Sequence, residues 1–182
     1  MSTLKTNAIQ TVAGKPILNS TGSILQVVSV FDNTQYVFST GSANQSTYYD
    51  VTGLTVNITP SSVSSKILIL SATTVNQTSD AYNIYIRLYR GSTAIALANS
   101  TGYLAAASAG FRTAGSGNYM PTTLPINFLD SPATTSTVNY NIKCCPSGGS
   151  SYPSYINRMS AVASDWPQGP GGSTITLMEI SG

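Results

Sequence analysis

Apolar residues in this chain come in short runs, and where they repeat they repeat at every second position. Within LTVNIT, Leu54, Val56 and Ile58 fall on one side and Thr55, Asn57 and Thr59 on the other, the spacing of a half-buried strand. YNIYIRLYR repeats the pattern, with Tyr82, Ile84, Ile86 and Leu88 inward and Asn83, Tyr85, Arg87 and Tyr89 outward. KILILSATT is apolar on both faces from Ile67 to Leu70, as expected of a central strand. It follows SSVSS with no room for a crossover helix, so antiparallel pairing is expected.

Further strand-like runs are ILQVVSVF, QYVFST, AIALA, MPTTLPINFLD, STVNYNIKCC, INRMSAV and STITLMEI, separated by turn-rich stretches such as DSPATT, PSGGSSYPSY and SDWPQGPGG. Counted from Ile24 they give roughly eight to ten strands, which points to an all-β, antiparallel β-sandwich of jelly-roll-like form. No repeat of fixed period appears, which argues against a β-helix or propeller. Between Tyr103 and Tyr119 the chain is small and glycine-rich, with Gly110, Gly115 and Gly117, and reads as a long exposed loop.

Residues 1–23 differ from the rest. Leu4, Ile9, Val12, Ile17 and Leu18 are scattered among polar residues, and Gly14 and Pro16 break any helical period. Such a segment reads as an extended arm that cannot bury its apolar side chains against itself, so docking onto neighbouring chains is expected. The sequence thus divides into an attachment arm, 1–23, and a sandwich head, 24–182.

The composition suits close association. Of 182 residues 41% are apolar, enough for one core, but only 8% are charged, against roughly 25% in an average soluble protein. Ser, Thr, Asn and Gly take the places of Lys and Glu, and they cost less to dehydrate than charges do. The net charge of +2 comes from cations that never cluster, so no track for a phosphate backbone exists and nucleic-acid binding is not expected. The N-terminus lacks a basic stretch followed by an apolar one, and no apolar run of about 18 residues occurs. The expectation is synthesis in the cytoplasm, without membrane insertion.

Chemistry is poorly provided for. The chain has no histidine, which removes the commonest general base and metal ligand and with them the Ser-His-Asp, Cys-His and zinc-hydrolase arrangements. Six acids remain, Asp32, Asp50, Asp80, Asp130, Asp165 and Glu179. Asp50, Asp80, Asp130 and Asp165 stand where aspartate caps turns, so a glycosidase pair is not expected. The glycine-rich stretches 115–118 and 169–172 lack the strand, helix and Lys-Ser/Thr context of a phosphate cradle. Cys144 and Cys145 are adjacent, a strained setting for a disulfide, and read as two reduced thiols near a strand end. No cofactor, metal or catalytic residue is expected.

Two sets of residues invite surface contacts. Tyr85, Arg87 and Tyr89 should form an outward aromatic and cationic ladder, either a solvated or subunit-facing strand surface or a ligand platform. Tyr152 and Tyr155 in SSYPSY and Trp166 in SDWPQGPGG form an aromatic-rich loop set. They suit either packing, beneath the loop or across a subunit interface, or a glycan-binding patch, because aromatic faces flanked by amides stack on sugar rings.

The stretches LKTNAIQTVAGKPILNSTGSILQVV, YDVTGLTVNITPSSVSSKILIL, LYRGSTAI, FLDSPATTSTVNYNIK, INR and STITLMEI together resemble a family of tailed-phage virion proteins, common in marine phages, described as tail-fibre-like or structural. The resemblance implies a short attachment arm and a jelly-roll head, similar in shape to the homotrimeric knobs of the tumour-necrosis-factor and complement-head type. It implies no catalytic residues. The function it suggests is a short tail fibre or host-binding appendage on the virion surface, with a capsid decoration or head-fibre protein as the alternative. Its partners would be copies of itself, other virion proteins reached through the arm, and a host surface glycan.

Overall fold

The computed structural model describes residues 21–39, 47–79, 81–99, 106–112, 121–159 and 171–182, and none of these is helical. Along them run β1 (Ile24–Asp32), β2 (Tyr36–Phe38), β3 (Tyr49–Ile58), β4 (Lys66–Gln77), β5 (Asn83–Arg90) and β6 (Thr93–Ile95). They are followed by β7 (Ala109–Arg112), β8 (Thr122–Asp130), β9 (Val138–Pro146), β10 (Ser154–Ile156) and β11 (Ser173–Ile180). Every pairing between them is antiparallel.

The strands make two sheets of four lanes each. In the first, β1 and β2 share an edge lane, β11 and β10 share the next, β4 follows and β8 closes the other edge. In the second the order is β3, β9, β5 and a lane shared by β6 and β7. Numbered along the chain, lane one lies beside lane eight, two beside seven, three beside six and four beside five. That is the connectivity of a jelly roll, a chain folded back on itself and wrapped into a sandwich.

The alternation read from the sequence sets what lies between the sheets. Leu54, Val56 and Ile58 of β3 and Ile84, Ile86 and Leu88 of β5 point inward and are buried, as are Ile67 and Ile69 of β4 and Ile175 and Leu177 of β11. The largest fully buried side chain is Tyr140 of β9. Its hydroxyl donates to Asp130 of β8 at 2.6 Å, and Arg90 of β5 reaches both oxygens of the same carboxylate at 3.0 Å. Asp130 therefore bolts one sheet to the other; it does not simply cap a turn, the role its position before Ser-Pro suggested. Asp50 likewise pairs with Lys143 at 2.9 Å.

Two further expectations are corrected. The stretch 103–119 is not all loop, because Ala109–Arg112 forms β7 against β5. Gly110 marks a close approach there: a Cβ atom would come within 2.8 Å of the Tyr85 ring, so only glycine lets the ring lie across the strand. The described part of INRMSAV does not continue as a strand past its first residue either. Pairing ends at Ile156, since Asn157 adopts φ 59°, a left-handed conformation that asparagine tolerates and strands do not. Its side-chain amide donates to the carbonyls of Asp32 and Thr34 at 3.0 Å, joining the breaks in lanes one and eight.

Candidate interaction surfaces

The sandwich has two outer faces of unlike chemistry. On the second sheet, the side chains opposite the core are Thr55 and Asn57 of β3, Asn139, Asn141 and Lys143 of β9, and Tyr85, Arg87 and Tyr89 of β5. The expected ladder is present on this face, and its cations are held down. The Arg87 guanidinium lies 3.8 Å from the centre of the Tyr48 ring and donates through Nε to the Ala106 carbonyl. Lys143 sits 4.9 Å from the centre of Tyr89 while pairing with Asp50. The Asn139 amide donates to Asn57 at 2.8 Å and the Asn141 amide to Asn139 at 2.9 Å. Burial raises the Tyr48 and Tyr85 hydroxyls above their usual range, so both stay neutral.

On the first sheet the residues opposite the core follow another rule. The register sets Val27 beside Met178, Met178 beside Leu68 and Leu68 beside Leu129, one apolar row across all four lanes. Ile24 pairs with Ile180 near one end, and Phe31 stands at the other. Val27 is 55% exposed, Phe31 66%, Ile24 57% and Leu129 48%. Between the apolar positions lie hydroxyls and amides, Ser29, Thr176 and Asn127; the only charged side chain facing outward on β1, β11, β4 and β8 is Lys66 at a corner.

One pole of the sandwich is sealed by a carboxylate that no motif singled out. Glu179, next to the end of β11, is buried and accepts from the Ser61 amide at 2.7 Å, the Ser61 hydroxyl at 2.6 Å, the Ser65 hydroxyl at 2.7 Å and the Gln26 amide at 2.6 Å. Burial pushes this carboxyl up, but the hydrogen bonds from Ser61, Ser65 and Gln26 outweigh it and bring it from 4.5 to about 2. SSVSS announced a turn; that its hydroxyls converge on an acid over 110 positions later is a product of lane order. Backbone bonds from Gly22 to Ser181 and from Ser181 to Ser23, both 2.8 Å, close the same pole.

At the opposite pole Tyr152 is 41% exposed and its ring lies 4.9 Å from that of Tyr82. Tyr155, its companion in SSYPSY, is buried in β10 with the Arg158 guanidinium 5.0 Å from its ring centre. The structure therefore separates the two tyrosines, one presented and one packed. Trp166 lies outside the described residues, as do Leu4, Ile9, Val12, Ile17 and Leu18 of the arm and Asp80 and Asp165. Cys144 and Cys145 are buried at the end of β9, and burial raises both thiols, Cys145 to about 11 against the opposing pull of Arg87. Neither forms a ready thiolate. Among the described residues no cluster of three or more Cys, Asp or Glu is placed to hold a metal, and no helix is long and apolar enough to cross a membrane.

No family profile and no curated protein matches this chain. Among solved structures it is similar to T=1 particles derived from infectious bursal virus, with a TM-score of 0.48 and 11% identity over 97% of this chain and 41% of the other. It is also similar to the Gt strain of infectious bursal disease virus, with a TM-score of 0.43 and 14% identity over 97% of this chain and 42% of the other. The Gx strain gives 0.40 and 14% over 86% and 36%. The chain thus spans about two fifths of the length of these proteins, and a likeness this distant carries nothing about ligand, partner or assembly.

Proposed function

We propose that this chain is a non-enzymatic structural protein of a bacteriophage particle, a homotrimeric short tail fibre or host-binding appendage on the virion surface. The observation that carries the reading is the polarity of the sandwich. The chain leaves the arm at Gly22 and Ser23, beside Ser181, at one pole, and presents the Tyr82–Tyr152 pair at the other. A head rooted at one end and offering aromatic side chains at the far end suits attachment followed by contact with a host glycan. The sequence resemblance supports the same reading. The buried carboxylates contribute too, since Asp130 and Glu179 are engaged in holding strands together.

The alternative is a capsid decoration or head-fibre protein. The nearly uncharged outer face of β1, β11, β4 and β8 favours it, because such a face suits lying against a shell.

Immunogold labelling of intact particles tests both. Label on the tail is the expected result; label confined to the head turns the reading to decoration, and label on no particle ends the virion reading altogether. Removing residues 1–23 is expected to leave a folded head that no longer joins the particle, and retained incorporation would take the anchoring role from the arm. Incubation with host surface polysaccharide is expected to leave the polymer intact; chain shortening would overturn the non-enzymatic reading.

A further inference from the structure

The apolar row Val27, Met178, Leu68 and Leu129 has no function inside the sandwich, because the core lies on the other side of the sheet. A soluble domain rarely leaves such a row open to water. The edge lane beside it carries little protection in its own sequence. Edge strands that face solvent are usually blunted by Lys, Pro or inward charges. β8, at one edge, carries Pro125, whereas β1, at the other, has neither proline nor charge before Asp32.

From this we infer that the outer face of the first sheet is the contact between copies of this chain. Its size is adequate: four lanes about 4.8 Å apart and eight residues at about 3.4 Å give a face of roughly 500 Å². Two such faces together remove on the order of 1,000 Å² from water, where specific interfaces begin. The chemistry selects a second copy over a charged partner. With Lys66 the only charge facing outward on β1, β11, β4 and β8, these strands offer little to steer or pair with an acidic or basic surface, while a neighbouring copy brings apolar and hydroxyl side chains of the same kind to meet them. The polar face of the second sheet has its cations committed to Tyr48, Tyr89 and Asp50, and stays outward.

This deepens the proposed function by naming the surface through which the subunits join, and it rests on the self-association in that reading. The test compares the full chain with Val27→Asp/Leu129→Asp, using Thr55→Asp on the other outer face as control. Masses are read by light scattering across a dilution series, with circular dichroism melts alongside. The expected result is an assembled wild type and control, and a double variant that dissociates at concentrations on the order of a hundredfold higher while keeping its spectrum. Should the double variant misfold, Val27→Ser/Leu129→Ser reads the same face with no added charge. An unchanged mass in folded variants overturns the inference and leaves the virion reading, which labelling decides, untouched. A monomeric wild type also overturns it, and flotation of that monomer with phosphatidylcholine vesicles would give the face to lipid.

Discussion

The two outer faces of this sandwich are built by strands of the same alternation and the same antiparallel pairing, yet one is dressed in tyrosine, asparagine and restrained cations and the other in an uncharged aliphatic row. The inward sets on the two sheets are interchangeable in kind, since both supply Ile, Leu and Val to one core. The outward sets are not. Inward residues answer to packing, which is common to any sandwich, whereas outward residues answer to what the face meets, which differs from side to side.

The sharpest way to probe the contrast is to cross a single strand. Leu177→Ala, on the inward side of β11, is expected to cost about 3 kcal/mol as a cavity opens in the core, while Thr176→Ala beside it changes stability by less than about 0.5 kcal/mol. Guanidinium unfolding of the two variants at equal protein concentration measures the difference. Comparable losses would mean that the outward residues carry packing as well.

The next largest effect lies at the pole where the apolar-faced sheet is sealed. Glu179 has its folded-state pKa lowered from 4.5 to about 2, so its contribution is fully present above the unfolded value and is lost as pH falls toward 2. Stability should drop by about 3 kcal/mol across that window on its account. Glu179→Gln should be less stable at neutral pH and should lack this part of the acid dependence; chemical denaturation at a series of pH values reads both. A third variant acts between the sheets: Asp130→Asn, which weakens the bonds to Arg90 and Tyr140, is expected to cost about 2 kcal/mol. The smallest effect belongs to the polar face, where Arg87→Ala loses its contact with Tyr48 and about 1 kcal/mol. A loss as large as that from Leu177→Ala would make the polar face part of the fold, and the contrast would fail.

Much of this was legible beforehand. β3 and β5 announce which side is buried through LTVNIT and YNIYIRLYR, and the absence of helical periods announces the sandwich. The apolar outer face was only half visible: KILIL reads as apolar on both faces, and β4 is indeed central, but period alone cannot say that Leu68 and Leu70 look outward, away from the core. Register supplies the rest, by aligning Leu68 with Met178, Val27 and Leu129 from three distant segments. Glu179 was silent for the same reason, since its donors come from two other parts of the chain. β7 and the end of β10 were misread because Gly110 and Asn157 carry their meaning in a neighbour's ring and in a backbone angle.

Lane order also sets a timetable. Ile24 pairs with Ile180 and Asp32 with Ser173, so the first of the described strands to be made is among the last to find its partner. At roughly 5–20 residues per second on the ribosome, β1 waits on the order of ten to thirty seconds for β11 to exist. Through that interval both its faces are apolar and unpaired. The protein is most vulnerable to wrong partners while it is being born, and the neighbour most abundant then, on the same messenger, is another copy of itself.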